Sequence, residues 1–420
     1  MTAPPSPPAA APGCASPARR PRPARYARFR ALVRASGGPR YAVALAVDAI
    51  GTGLLRPFLL VYGIDALRLP ALTAGLAMTA GVAAGLGCTP AMGRWLDRGA
   101  RSTAVAASML VRVIGTALLL IDPAGSPGTV SLFAAAALCL GVGNQAFPVA
   151  HAALVATVAE GRERDAALAA GRSVRNAGLG LGALLATASL TGGPPALRAL
   201  AAGTGVSYLL SAALAWSVRI RARVRPLPSR DPGGGPIPRA PRMRLLLGAN
   251  VVYVFCLSVP EVALPLVLVT QLHASPVWAA VVFVTNTVLV VAFQVPVTVW
   301  MSRFSRRGAL AVSGIVLSVS YLGFLGGFEL GRRWAVPAVV GVSVLCTLGE
   351  IIYAGSSTAL VAATAPEHLI GRALARFQLS TGFGLAISPA IITALAAHGP
   401  AALWASLAVA TLLSAAAVTR

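Results

Sequence analysis

Glu350 is the only charge in a long stretch of the chain. Sixteen uncharged residues, Trp334 to Gly349, precede it and sixteen more, Ile351 to Pro366, follow. Four other ionisable side chains stand inside apolar runs: Asp48 and Arg56 in one run, Arg112 in another and Glu261 in a third. A carboxylate held away from water and beside exchangeable partners can take up a proton on one side of a barrier and release it on the other. Asp48, Glu261 and Glu350 are therefore candidate proton-coupling groups, and Arg112 and Arg56 candidate charge-balancing groups. For Glu350 the competing reading is a structural carboxylate permanently paired with Arg112 or Arg56. Asp48 and Arg56 are eight residues apart, about two helical turns, so they share a face but are too distant to pair directly. Asn144, Gln145, Asn286 and Gln294 are candidate substrate-binding donors, although cross-helix hydrogen bonding is the commoner use of such residues. His151 reads as a packed histidine.

The elements that position these groups follow from composition. Of 420 residues, 56% are hydrophobic and 11% charged, against roughly 25% charged in a soluble domain. With a mean hydropathy of +0.76, the chain reads as an integral membrane protein. A charge near the bilayer centre costs at least about 2.5 kcal/mol on insertion scales, so each of the five above calls for a function or a partner. All 35 basic residues are arginine, which fits coding bias in a GC-rich, bacterial genome.

Crossing the hydrocarbon core takes about 20 apolar residues. Twelve such runs are expected, at 41–62, 71–93, 102–121, 130–157, 169–190, 197–217, 245–270, 277–300, 309–328, 335–362, 373–396 and 401–418. These runs are too long for the strands of a membrane barrel. Residues 1–40 read as a disordered basic tail, 41–218 and 245–420 as two six-helix bundles, and the Pro- and Arg-rich stretch 219–244 as the linker between them. Most arginines fall on the tail and the inner loops, and four, Arg68, Arg198, Arg332 and Arg333, on outer loops; only Arg56 and Arg112 are assigned to span interiors. By the positive-inside rule both termini are cytoplasmic. The halves echo one another at a spacing near 206 residues: Pro90 with its arginine-rich turn answers Pro296 with its own, and Gly171-Arg172 is paired with Gly371-Arg372. Internal duplication of this kind accompanies secondary transporters with a site between the halves.

Other functions find no footing in the sequence. The arginine clusters lack the interleaved aromatics of a nucleic-acid platform. The five cysteines are scattered singly, without zinc spacing or a disulfide framework. There is no H-E-x-x-H, G-x-S-x-G, G-x-G-x-x-G or P-loop pattern, so neither an enzyme, a metal, a cofactor nor an ATP-driven pump is expected.

From residue 40 onward the chain resembles the major facilitator superfamily. That family places G-x-x-x-D-[RK]-x-G-[RK]-[RK] between its second and third spans. Here Gly93, Asp97, Arg98 and Arg101 match, Gly99 comes one place early and Ser102 replaces the last basic residue. The corresponding second-half turn keeps Arg303, Arg306 and Arg307, with Ser302 in place of the acid. The resemblance implies that these seven residues, Gly93 and Asp97 among them, form a cytoplasmic gate. Within the family, Thr347-Leu348-Gly349-Glu350 followed by Thr364-Ala365-Pro366-Glu367 looks like the drug/proton antiporters, which implies proton coupling at Glu350. Span 5 reads Gly178-Leu-Gly-Leu-Gly182-Ala183, where antiporters often show a Gly-Pro pair. The expected function is proton-coupled export of small amphipathic or apolar molecules across a bacterial plasma (inner) membrane by a monomer. An uptake symporter for a small metabolite is the alternative, and a membrane-embedded enzyme or receptor a distant third. The expected partners are a small-molecule substrate, protons and the lipid bilayer.

Overall fold

The computed structural model describes residues 25–121, 128–189, 192–220 and 241–419. Most of the expected linker and residues 1–24 lie outside this range. The described chain is helical throughout: α1 (Arg25–Ala35), α2 (Pro39–Ala66), α3 (Ala71–Asp97), α4 (Ser102–Ile121), α5 (Thr129–Val158), α6 (Gly161–Ser189), α7 (Gly193–Ser217), α8 (Met243–Val269), α9 (Pro276–Met301), α10 (Arg306–Glu329), α11 (Gly331–Thr364), α12 (Glu367–Ala397) and α13 (Pro400–Thr419). The twelve expected spans are α2 to α13. Eleven of them are long and apolar enough to cross a membrane. The exception by composition is α6, which begins Gly-Arg-Glu-Arg-Asp and carries Arg172 and Arg175 further in.

Two corrections concern the chain's beginning and its repeats. Residues 25–40, expected to be part of a disordered tail, hold α1 and a two-glycine turn into α2. Gly37 and Gly38 have φ of 104° and 95°, a region open to glycine at little cost. Ala35 at the end of α1 packs with Val155, Ala159 and Ala167, which gives the short helix an anchor that composition did not reveal. Gly171-Arg172 is also not the positional equivalent of Gly371-Arg372: the former lies eleven residues inside α6, while the latter opens α12.

Helices α2–α7 form one six-helix bundle and α8–α13 the other. Small residues allow close approach in place of a hydrophobic driving force, which lipid cannot supply. Gly141 of α5 sits against the backbone of Gly81 in α3, where no side chain would fit. In the second bundle Trp404 is fully buried between Tyr321 and Phe324, its ring centroid 4.6 Å from that of Phe324. The bundles meet where α3 packs on α12 and α6 on α9, with α5–α12 and α6–α11 contacts between. Twelve crossings return the chain to the side from which it starts, so α2 begins and α13 ends on one side, called here the terminal side.

The first helix of each bundle is irregular at corresponding depth. In α2 the helix tightens at Arg56–Phe58 around Pro57 and widens over Tyr62–Ala66; α8 widens over Val259–Ala263 around Pro260. Proline removes a backbone donor, and such bulges recur at functional sites. These breaks hold Arg56 and Glu261.

Candidate functional site

Charged contacts between the bundles occur at two depths. On the terminal side, Asp97 at the end of α3 reaches the start of α12. Its Oδ2 accepts from Arg372 Nε at 2.7 Å, and its Oδ1 accepts from the backbone N–H groups of Gly371 and Arg372 at 2.8 and 3.3 Å. The carboxylate thus binds a guanidinium and two backbone amides near a helix N-terminus, both of which favour an anion. Gly93 makes the approach possible: a Cβ there would lie 2.7 Å from that of Ala375. Arg101 is buried beside this contact, donating to the carbonyls of Leu96 and Ala100 and to Thr157 Oγ1. Burial pushes its guanidinium below the ordinary arginine value, opposed by the nearby Asp97 charge.

The second clasp joins Arg306, at the start of α10, to Asp165, at the start of α6, with a closest approach of 3.0 Å. Arg306 Nε and Nη2 both donate to the carboxylate, and Nη2 also donates to the Gly161 carbonyl. The other expected gate residues are placed differently. Arg98 and Arg303 are exposed and Arg307 is half-buried; none of the three forms an ion pair among the described residues.

Deeper in, Glu350 of α11 faces the other bundle. Its Oε1 lies 3.5 Å from Arg172 Nη2 and its Oε2 accepts from Asn286 Nδ2 at 2.8 Å, while Asn286 also donates to Thr347. Glu350 retains 8% side-chain exposure and Arg172 31%, so this pair adjoins open space. From the α6 start, Arg172 is about 16 Å in at 1.5 Å per residue, and Glu350 about 21 Å from the α11 end. The partner of Glu350 is therefore Arg172, and neither Arg112 nor Arg56, the two arginines of the competing structural reading.

Arg112 instead lies 2.7 Å from Asp48, both fully buried within the first bundle. Its guanidinium sits over the Tyr208 ring at 4.4 Å and donates to Thr52 Oγ1. Asp48, grouped with the proton carriers by sequence, is fully buried against Arg112 in this state. Arg56 and Glu261 are both exposed, and Arg56 and Glu350 are the charges near enough to act on Glu261. Arg175, one turn beyond Arg172, stacks over Phe147 at 5.2 Å.

The amide candidates divide. Asn286 belongs to the Glu350 cluster. Gln145 accepts from Gln378 of α12 at 2.9 Å, across the bundle interface. Asn144 lies beside it with a buried, unpartnered carbonyl oxygen. Gln294 is fully buried and donates to Thr298 and to the Ile351 carbonyl. It ties α9 to α11 in this state. His151 is packed between Tyr41 and Phe147, its Nδ1 2.8 Å from the Tyr41 hydroxyl. No cluster of three metal-ligating side chains occurs among the described residues.

Sequence reasoning missed Arg172 as the partner of Glu350, Arg175 altogether, and Asp165 and Arg372 as clasp partners. By charge clustering Arg172 and Arg175 group with the inner loop before α6, although their positions fall inside the expected span 169–190.

The pattern of the Major Facilitator Superfamily matches residues 41–260 and again 246–420. No curated protein sequence matches the chain. Among solved structures it is similar to a bacterial homologue of the iron transporter ferroportin in an outward-facing state, with 16% identity, TM-score 0.73, and coverage of 93% of this chain and 98% of that one. It is also similar to the human organic anion transporter MFSD10, with 16% identity, TM-score 0.66, and coverage of 93% and 99%. The E. coli fucose:proton symporter FucP gives 14% identity, TM-score 0.68, and coverage of 91% and 98%. At these identities the likeness is one of fold.

Proposed function

Because the chain belongs to the Major Facilitator Superfamily, we propose that it is a proton-coupled secondary transporter of small amphipathic molecules, with Glu350 carrying the proton between the bundles. It is a transporter and not an enzyme. The observation that carries the proposal is the Glu350–Arg172 contact, a titratable pair that joins the two moving bodies and adjoins open space. Protonating Glu350 removes the charge that holds Arg172, so one proton changes the attraction between bundles. With the terminal side cytoplasmic, the Asp97–Arg372 and Arg306–Asp165 clasps close the inner entrance in this state. Rocking of the bundles breaks the clasps and exposes the site inward.

Export in exchange for protons is our first reading of direction, taken from the resemblance to drug/proton antiporters and the apolar spans. Uptake together with protons is the second. It is favoured by the charge at the site: freeing Arg172 by protonation makes room for a cargo group in the same step.

Replacing Glu350 with Gln tests the coupling role, since size and hydrogen bonding are kept and the titration is lost. Cargo binding should survive while transport driven by a pH gradient in everted vesicles or proteoliposomes disappears. Gradient-driven transport per folded molecule equal to the parent's would reject Glu350 as the carrier. The sign of the pH gradient that drives accumulation decides between the two directions.

A further inference from the structure

The deep charges of the bundles do not cancel. Leaving aside Arg376, which is exposed nine residues into α12, Arg56, Arg112, Arg172 and Arg175 face Asp48, Glu261 and Glu350, leaving one guanidinium in excess. Asp48 is taken by Arg112 at 2.7 Å, Glu350 by Arg172 and Asn286, and Glu261 lies in the field of Arg56. Arg175 is the arginine left over, with no ion pair among the described residues. The charged groups acting on it are Asp48, already paired, and the like charges of Arg56 and Arg112. Arg175 Nη1 and Arg172 Nε are both buried without a hydrogen-bond partner among the described residues. Arg172 and Arg175 are three residues apart on α6 and so share a face. Both keep partial exposure, while the Phe147 ring backs Arg175.

A guanidinium with free donors in a low-dielectric interior favours a planar or tetrahedral oxyanion, which takes two N–H groups at once. The same surplus disfavours a cation, which would join four arginines. We propose that the cargo carries a negative charge, a carboxylate- or sulfonate-type group held by Arg175 with Arg172 beside it. This deepens the transport reading by naming the substrate class, and it rests on the bundle interface being the cargo site. It holds for either direction of transport.

The test uses the purified full-length protein in nanodiscs of phosphatidylcholine and two probes of one shape, naphthalene-2-sulfonate and its neutral sulfonamide. The parent should bind the sulfonate at least tenfold more tightly than the sulfonamide. Arg175→Gln should lose that preference while keeping the sulfonamide affinity. Arg175→Lys, which keeps the charge but not the fork, should retain part of it and serves if the Gln variant does not fold. Equal binding of the two probes, no binding of either, or a preference unchanged in the Arg175 variants would overturn the proposal. Sulfonate binding that vanishes when the discs contain phosphatidylglycerol would assign the arginines to a lipid headgroup and overturn it as well. The readout is independent of proton coupling. A failed gradient test on Glu350→Gln therefore leaves it standing, and its own failure leaves Glu350 untouched.

Discussion

Gln378 of α12 donates to Gln145 of α5 at 2.9 Å, and this bridge stands one repeat away from the contact between Arg172 of α6 and Glu350 of α11. At the spacing near 206 residues that relates the halves, Arg172 corresponds to Gln378 and Glu350 to Asn144, the neighbour of Gln145. The two bridges occupy equivalent places on either side of the interface. One is neutral at every pH and the other can be discharged by a proton. At this depth the two otherwise equivalent bridges thus differ in charge: a carboxylate and a guanidinium join α6 to α11, and two neutral amides join α5 to α12.

The Asp97 clasp should govern how often the inner entrance opens. Asp97→Asn keeps the side chain's shape and weakens three charge-assisted hydrogen bonds, each worth about 1.5–3 kcal/mol. Transport at matched expression should fall several-fold while the folded yield stays near the parent's. Transport equal to the parent's would show that the clasp is not part of the cycle.

Gly93→Ala acts on the same closure through space rather than charge. The added Cβ would meet Ala375 at 2.7 Å and the Gly371 carbonyl at 3.0 Å, an overpacking that costs about 1–3 kcal/mol only while the clasp is shut. Spin labels at the exposed Arg98 and Arg376 positions should report a longer mean separation in the variant. An unchanged distance distribution would place the two helices differently from the arrangement described.

The sealed Asp48–Arg112 pair should matter to stability more than to turnover. Removing one partner strands a buried charge, a loss of about 3–5 kcal/mol. Asp48→Ala or Arg112→Leu alone should therefore lower the thermal midpoint sharply, and the double variant should recover much of it. Additive losses in the double variant would mean that the two side chains are uncoupled.

Orientation is open to direct labelling. Gly192 is exposed where α7 begins, on the side opposite the termini. A cysteine at that position should react with an impermeant reagent added from outside the cell. Reaction from the cytoplasm alone would invert the orientation.

The architecture was legible because a single constraint dominates it. A chain that must bury its backbone in hydrocarbon needs about 20 apolar residues per crossing, and that run length survives in the sequence almost unaltered. Glu350 was legible for the same reason: charge is conspicuous where thirty-two flanking residues have none. Arg172 and Arg175 were obscured because α6 starts with four charged residues, so the deep arginines looked like a continuation of the loop. The resemblance located Asp97 but not its partner. Arg372 lies 275 residues away, and no local pattern records a contact made only when two bundles close. Nor could α1 be read from composition, since its anchoring comes from Ala35 meeting side chains of α5 and α6.

In both terminal-side clasps the carboxylate comes from the first half, Asp97 and Asp165, and the guanidinium from the second, Arg372 and Arg306. Two copies of the first half brought together in the same geometry would set acid against acid, and two copies of the second, arginine against arginine. The halves are therefore coded for each other and against themselves, despite sharing one architecture. A chain severed within 221–240 and expressed as two pieces would have, in these four side chains, an instruction for reassembling as unlike partners.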